Sequence, residues 1–203
     1  MDDGYRDGES DGELVARSCS GDMGAFEVLV RRNHSAAHRM ALLSGAGSDA
    51  EDVVQDAFVR VFDGLAGFRL DAAFRPWLLQ TVVNLARDLH RSRARRLRLQ
   101  DRVALLGEHR GEADHRREAD PQRVALLADR DRALWSALWA LPEKDRQVLG
   151  CRFLLELSER ETAEVLGWPL GSVKSRTSRA LTRLRELIAP EPAESAEISE
   201  VSR

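Results

Sequence analysis

Residues 156–188 contain the pattern that most constrains the fold, two short amphipathic segments separated by a break. Ser158 and Glu161 have the spacing of a capping box, which predicts the start of a helix. The Gly-Trp-Pro sequence at 167–169 predicts its end, because glycine tolerates a left-handed cap and proline cannot continue a helix. A second helix is predicted to begin within about two residues of Gly171, since apolar residues follow at three- and four-residue steps. This order predicts a helix-turn-helix.

The second helix of this motif carries a polar face of basic and hydroxyl side chains. Its candidate DNA-binding residues are Ser172, Lys174, Ser175, Arg176, Ser178, Arg179 and Arg183. Such a helix lies in the major groove of duplex DNA, with its N-terminal residues at base edges. Arginine and lysine bind guanine edges or phosphates, and serine binds either. The alternative is a solvated basic face on an ordinary helical hairpin. The apolar side is predicted to comprise Val173, Ala180, Leu181, Leu184, Leu187 and Ile188.

The composition of the 203 residues favours an all-α protein, because Ala, Leu, Arg and Glu dominate and no segment alternates like a strand. The two cysteines, Cys19 and Cys151, belong to no paired-cysteine motif, which argues against a disulfide framework or a cysteine zinc site and fits a reducing cytoplasm. We expect no metal and no cofactor. We expect no membrane span, because no apolar run is long enough. The acidic N-terminus is unlike a signal peptide.

Charge is distributed unevenly, although the net charge is only −3. The first thirteen residues hold six acids, residues 87–102 hold seven arginines, and the segment after Pro190 holds four glutamates. Residues 107–123 contain no large apolar side chain, which predicts a flexible charged linker. The predicted units are a disordered acidic N-terminus at 1–12, a first domain at 13–100, a linker at 101–120, a second domain at 121–189 and a disordered acidic tail at 190–203.

In the first domain, Asp22 is predicted to cap a helix that ends near Leu43. Its inward residues are predicted to be Met23, Phe26, Val30, Ala37 and Met40 or Ala41. A second capping box at 48–51 predicts another helix, ending near Asp63. We expect this helix to bury Val54, Ala57, Phe58, Val61 and Phe62. Its outer polar stripe comprises Asp52, Gln55, Asp56 and Arg60, which could also serve only to keep a surface helix soluble.

A loop with Phe68 and Arg69 leads into a third helix, which has Trp77 on its inward stripe and Pro76 in its first turn. A separate face of that helix carries Asn84, Arg87, Asp88, Arg91 and Arg95. Aromatic rings beside arginines are typical of single-stranded nucleic acid binding, because bases stack while guanidinium groups follow the phosphates. The alternative for Trp77 is a place in the core.

The second domain is predicted to have four helices, of which the helix-turn-helix supplies the last two. Its first helix is marked by Leu126, Leu127, Leu134, Trp135, Leu138 and Trp139, and the two tryptophans are expected in the core. The Leu-Pro-Glu at 141–143 should begin the next helix, which we expect to bury Val148, Leu149 and Phe153.

Three stretches in this order resemble the extracytoplasmic-function (ECF, group 4) sigma factors of bacterial RNA polymerase. They are DAEDVVQDAFVRVF at 49–62, FRPWLLQTVVNLARDLHR at 74–91, and the segment at 141–185 that begins LPEKDRQVLG and ends RALTRLR. The resemblance covers residues 12–188 and implies two small helical domains, the second containing the helix-turn-helix.

The resemblance implies a function in transcription initiation, with no catalysis by the chain itself. The first domain would dock on the clamp coiled coil of one large polymerase subunit through Asp52, Gln55, Asp56 and Arg60. The opened minus-ten strand would lie near Phe68, Arg69, Trp77, Asn84, Arg87, Asp88, Arg91 and Arg95. The second domain would read the minus-thirty-five duplex through the candidate DNA-binding residues given above and contact the flap of the other large subunit. An anti-sigma factor is a partner of many family members, but the sequence does not indicate whether this chain has one.

Two other classes of function compete with this interpretation. A dimeric helix-turn-helix repressor would explain residues 156–188 but not the aromatic loop, the arginine series or the acidic stripe. An enzyme acting on nucleic acid would need paired carboxylates, a phosphate-binding loop or a nucleophile arrangement, and the sequence contains none of these patterns.

Overall fold

The computed structural model describes residues 9–68, 73–104 and 129–188, and the regular elements within these ranges are all helical. The predicted all-α class is confirmed. The α-helices are α1 Asp11–Cys19, α2 Met23–Leu43, α3 Ala50–Gly64, α4 Phe74–Ala104, α5 Asp129–Ala140, α6 Glu143–Leu149, α7 Glu159–Leu166 and α8 Leu170–Ile188. None of the helices in these ranges is long and apolar enough to cross a membrane. The tail at 190–203, most of the linker, Arg69 and residues 1–8 of the predicted N-terminal segment lie outside the described residues.

The first four helices form one bundle around α2. As predicted, Asp22 caps α2 by accepting a hydrogen bond from the backbone nitrogen of Ala25 at 3.1 Å. The helix ends before Gly45, whose φ of 81° is readily adopted only by glycine. Its inner stripe packs against α3 and α4 through fully buried side chains, including Leu29, Met40, Val54, Leu78 and Val82.

The structure corrects two sequence predictions near helix starts in this bundle. Disorder was predicted through residue 12, but Ser10 and Glu13 form a complete capping box that begins α1 at Asp11. The capping box predicted at 48–51 does not form, because a 3₁₀ turn at Gly47–Asp49 leads directly into α3. The Asp49 carboxylate pairs instead with Arg93 of α4.

Helices α5–α8 form the predicted four-helix unit with its helix-turn-helix. Helix α6 continues into a π-helical turn, Gly150–Leu154. Both hydrogen bonds of the predicted capping box between Ser158 and Glu161 are present at the start of α7. Gly167 ends α7 in the left-handed conformation, with a φ of 67°. Helix α8 then begins at Leu170, and the sequence-derived helix-turn-helix is therefore confirmed.

The two units pack directly against each other, which the sequence analysis did not predict. Helix α7 lies across α4, and the junction of α6 with the π-helical turn contacts the C-terminal end of α2. At the second contact Cys151 lies against Met40, with their sulfur atoms 3.8 Å apart. Buried apolar side chains of both units form one continuous cluster.

Several side chains predicted to lie on inward or apolar faces are exposed instead: Met23, Phe62, Phe153, Leu187 and Ile188. Met23 begins α2, and Leu187 and Ile188 end α8, where the apolar stripe extends past its partner helices. Phe153 lies in the π-helical turn, whose wider spacing changes the direction in which successive side chains project. Phe62 packs edge-on against Phe26 at the rim of the bundle, with ring centroids 4.9 Å apart.

Candidate nucleic-acid interface

The outer face of α3 exposes the four polar residues expected to bind polymerase, Asp52, Gln55, Asp56 and Arg60. Val59 lies among them and is 60% exposed, although it is apolar. The exposed stripe of α3 therefore combines carboxylates with one apolar side chain, that of Val59. The sequence analysis did not single out Val59, although an apolar residue in an otherwise polar stripe was the available signal.

The N-terminal end of α3 carries a further acid, Glu51. Its carboxylate lies 3.2 Å from Nε2 of His34, and this hydrogen bond holds the pKa of Glu51 below its ordinary value of 4.5. The charge is also favoured by its place in the first turn of the helix. Glu51 therefore extends the acidic surface beyond the predicted stripe.

Aromatic rings cluster at the start of α4. The Phe68 and Trp77 ring centroids lie 4.6 Å apart, and Phe74 lies edge-on to both rings. A Cβ on Gly64 would lie 3.1 Å from the Trp77 ring, so a side chain there would crowd the indole. Trp77 is only half-buried, and it therefore serves the core and also borders open space.

That open space is a cavity of about 690 Å³ between the α3–α4 junction and α7. Phe68, Pro76, Trp77 and the glycines of the junction form one wall. The opposite wall is polar and comes from α7. An extended chain with flat apolar groups, such as unstacked DNA, fits the chemistry of the first wall.

The polar face of α4 is partly occupied by the protein itself. The Arg87 guanidinium donates a hydrogen bond to the Leu166 carbonyl at 2.8 Å, and Gln80 donates one to the Glu164 carbonyl at 2.9 Å. Asp88 and Arg91 form an exposed ion pair at 3.6 Å. Further along the same face, Asn84 and Arg95 are exposed. The predicted strand-binding residues of α4 thus share one face, but Arg87 already has a partner on α7.

The basic face of α8 divides into two sets of side chains. Lys174, Ser178 and Arg179 are exposed, and no ion pair holds them among the described residues. Ser172 and Ser175 are also exposed near the N-terminal end of the helix. Arg176 and Arg183 differ, because both donate hydrogen bonds to the carboxylate of Asp145 on α6.

Asp145 is a functional candidate that the sequence analysis missed. It is 1% exposed and follows Lys144 in the first turn of α6. A single acid among charged residues gives no sign of burial, and the only available signal was its place in the quoted LPEKDR motif. The structure shows that it holds two of the seven predicted DNA-binding side chains.

Two family models match the chain, sigma-70 region 2 over residues 27–96 and sigma-70 region 4 over residues 131–184. The ECF RNA polymerase sigma factor SigM of Mycobacterium tuberculosis is 36% identical over 186 residues, which cover 91% of this chain and 88% of that protein. The chain belongs to the ECF sigma factors. The ECF RNA polymerase sigma-E factor of Haemophilus influenzae is 30% identical over 182 residues, 89% of this chain and 96% of that protein.

Solved structures of similar proteins agree with this assignment. CnrH, determined in complex with the cytosolic domain of CnrY, is 32% identical, with a TM-score of 0.62 over 89% of this chain and 97% of that chain. RpoE of Bartonella quintana, determined in complex with the anti-sigma factor NepR, shares the fold, with a TM-score of 0.63 at 23% identity over 82% of this chain and 98% of that chain.

As an ECF sigma factor, this protein directs RNA polymerase to promoters and initiates transcription. The region 2 match spans all of α3 and most of α2 and α4, and the region 4 match spans most of α5–α8. The aromatic cluster and the polar face of α4 therefore lie in region 2, and the helix-turn-helix lies in region 4.

Proposed function

We propose that this sigma factor divides promoter recognition between its two helical units. Helix α8 reads the minus-thirty-five element as duplex, and α4 with the aromatic cluster holds the opened minus-ten strand. The observation that carries the proposal is the exposed basic surface that Lys174 and Arg179 form in the first half of α8, where no acid of the described residues forms an ion pair with them. The chain itself carries no catalysis and acts in the bacterial cytoplasm.

The α8 part of the proposal is supported by the position of the exposed side chains. The N-terminal residues of a recognition helix reach base edges in the major groove. Lys174, Ser178 and Arg179 occupy the first half of α8 and offer donors for guanine edges or phosphates. Ser172 and Ser175 add hydroxyl groups near the start of the helix.

The α4 part is supported by a mixed polar face beside stacked aromatic rings. Phe68 and Trp77 offer surfaces for unstacked bases, and Arg91 and Arg95 offer charge for phosphates. Asn84 offers an amide that can pair with a base edge. A face that bound only duplex phosphates would have no use for this amide. Arg69, which lies outside the described residues, belongs to the same proposal.

The exposed stripe on α3 is proposed to bind the polymerase clamp through Asp52, Gln55, Asp56 and Arg60. The second unit is proposed to contact the flap. The domain boundaries 13–100 and 121–189 are proposals too, and both family matches fall within them. An anti-sigma factor is a further proposed partner, because CnrH was solved with the cytosolic domain of CnrY and RpoE with the anti-sigma factor NepR.

In vitro transcription on genomic DNA tests the function. Core polymerase reconstituted with this protein should start transcripts at a defined set of sites, and sequencing them maps the promoters. At those sites permanganate should react with minus-ten thymines only when polymerase and this protein are both present. If no promoter opens, the proposed division of recognition is wrong, and a duplex-binding dimer becomes the better account.

Charge reversal at Asp56 tests the α3 stripe. We expect Asp56→Arg to abolish co-elution with core polymerase, because an acidic docking surface would acquire the wrong charge. The melting temperature should change little, since exposed substitutions usually alter stability by less than ~0.5 kcal/mol. Glu27→Arg, an exposed reversal on α2, serves as the matched control and should still co-elute.

A further inference from the structure

A buried carboxylate, that of Asp145, lies at the junction of α6 and α8. Asp145 Oδ1 accepts a hydrogen bond from Arg176 at 2.9 Å, and Oδ2 accepts one from Arg183. The two arginines are two turns apart on α8, so one carboxylate holds two points along the recognition helix. The Arg176 guanidinium also lies over the Trp168 ring, 5.4 Å from its centroid.

These contacts hold the guanidinium groups of both arginines against α6. The Arg176 side chain is 30% exposed and the Arg183 side chain is 52% exposed, whereas the Asp145 side chain is only 1% exposed. A buried carboxylate that loses its partners is strongly destabilised, and both arginines are therefore held against α6 rather than released to DNA. Lys174 and Arg179, by contrast, have no such acid beside them in the described ranges.

We propose that Asp145 is a positioning residue that decides which side chains of α8 contact the minus-thirty-five duplex. It withdraws Arg176 and Arg183 and leaves Lys174 and Arg179 to meet the DNA. Phosphate contacts add affinity without sequence information, so fewer free arginines mean greater selectivity. This inference rests on the proposed function of α8, and it removes Arg176 and Arg183 from the predicted DNA contacts.

The test uses the full chain in holoenzyme, with duplex DNA carrying a mapped minus-thirty-five element or a scrambled one. Asp145→Asn keeps the side-chain volume and removes the charge, and should free the two arginines for phosphates. Each new phosphate contact steepens the log–log salt dependence by about 0.9. We therefore expect a steeper slope and a several-fold smaller preference for the mapped element.

Matched variants separate positioning from a general structural effect. Glu186→Gln removes one exposed negative charge from α8 and should leave slope and preference unchanged. Arg183→Ala should also leave the slope unchanged, whereas Arg179→Ala should lower it by about 0.9. A slope that falls in Arg183→Ala as much as in Arg179→Ala overturns the inference, because Arg183 would then contact DNA. The inference is also overturned if Asp145→Asn melts normally and yet shows no steeper salt dependence than the natural protein.

A second inference comes from an independent observation, the contact between the two helical units. Arg87 and Gln80 of α4 donate to the carbonyls of Leu166 and Glu164 at the end of α7. The last carbonyls of a helix lack partners within it, and at the end of α7 the side-chain donors of α4 add to the backbone N–H groups of Gly167 and Trp168. In this arrangement Arg87 is unavailable to DNA.

The contact between the second unit and the C-terminal end of α2 includes buried, hydrogen-bonded polar side chains. Arg146 is 1% exposed and donates to the Leu43 carbonyl at 3.0 Å, and Gln147 donates to the Ser44 hydroxyl at 3.3 Å. Arg146 also lies over the Trp139 ring, 4.9 Å from its centroid. Buried polar groups are costly unless they are hydrogen-bonded. These groups are satisfied across the interface, which indicates a specific closed arrangement.

We infer that the free chain rests in this closed arrangement, and that closure competes with capture of the minus-ten strand on α4. The two units must separate when the protein binds polymerase, because Arg87 cannot donate to α7 and bind the minus-ten strand at the same time. This inference rests on the proposed role of α4. Disulfide formation and scattering of the free chain test closure without polymerase. A failure of this inference can therefore be told apart from a failure of the proposed function.

A disulfide tests closure directly. A Cβ on Gly150 would lie 3.2 Å from Leu43 Cγ, and that separation suits a bridge with an S–S bond of about 2.05 Å. The variant with Leu43→Cys and Gly150→Cys should form an intramolecular disulfide rapidly in the free chain. The two single variants show any bridge made by Cys19 or Cys151, and Leu43→Cys with Ser172→Cys is the misplaced control.

The oxidised variant should open no mapped promoter, and reduction should restore opening. Gly150→Leu supplies the opposite test, because the three nearest atoms to a Cβ there all belong to Leu43 across the interface. Small-angle scattering should show a radius of gyration larger by several ångströms, with both units still folded. Closure is wrong if the disulfide forms no faster than in the misplaced control or if Gly150→Leu scatters like the natural chain. The competition is wrong if the oxidised variant opens promoters.

Discussion

Helices α4 and α8 both carry arginine-rich faces, yet the groups that hold part of each face belong to different units. On α8, Lys174 and Arg179 are exposed, and Asp145 of the same unit holds Arg176 and Arg183. On α4, Arg87 is bound by the other unit, through the end of α7. The difference shows that an arginine stripe does not by itself reveal which guanidinium groups are free to bind nucleic acid.

Helix α7 connects the two faces. Its C-terminal end covers part of α4, and the left-handed Gly167 that follows directs the chain into α8. Changes in α7 should therefore affect both faces, whereas changes on the open surface of α4 should affect only one.

The largest expected effect comes from removing open side chains of α4. We expect the double variant Asn84→Ala, Arg91→Ala to lose permanganate reactivity at mapped promoters, because both residues lie on the proposed strand-binding face. It should still co-elute with polymerase and still protect the minus-thirty-five duplex. Promoter opening that survives the double change would mean that the strand lies elsewhere.

The next effect concerns the two capping boxes. Ser158→Ala removes the cap of α7 and should destabilise the protein by about 1 kcal/mol, the usual cost of a lost N-cap. Ser10→Ala removes the equivalent cap of α1 and is the matched control for stability. Only Ser158→Ala should also weaken minus-thirty-five binding, measured as footprint affinity. Equal footprints for both variants would contradict the link between α7 and α8.

Acidification should weaken the same cap. The Ser158 hydroxyl and backbone nitrogen hold the pKa of Glu161 below its ordinary value of 4.5. A lowered folded-state pKa contributes stability above the unfolded-state value, and this contribution is lost as the pH falls through the folded-state pKa. The melting temperature should therefore fall less steeply on the acid side of pH 4.5 in Glu161→Gln than in the natural protein. Parallel melting curves would show that the cap does not titrate.

The smallest effect is expected at Thr162, inside α7. Its hydroxyl is fully buried and has no hydrogen-bond partner among the described residues. An unsatisfied buried polar group is unfavourable, so Thr162→Val should leave stability unchanged or raise it by up to about 1 kcal/mol. Denaturant unfolding measures this directly, and a clear loss of stability would indicate a partner for the hydroxyl.

Local patterns accounted for most of the helices and for the helix-turn-helix. The Ser158–Glu161 capping box, the cap at Asp22 and the turn at Gly167 depend on neighbours three to five residues away, and all three are confirmed. Local patterns failed where a residue of the predicted motif bonds to a partner far away in the sequence. Asp49 pairs with Arg93, 44 residues further along the chain, in place of the expected capping box.

The sequence by itself determined the helical class, the helix-turn-helix and the family, because these depend on periodicity, on caps and on motifs that can be read in order. Only the tertiary structure decided which arginines are available. Arg176 and Arg183 meet Asp145 across 31 and 38 residues, and Arg87 meets Leu166 across 79. Pairings at such separations depend on how helices pack, and helical periodicity contains no information about the partner on another helix.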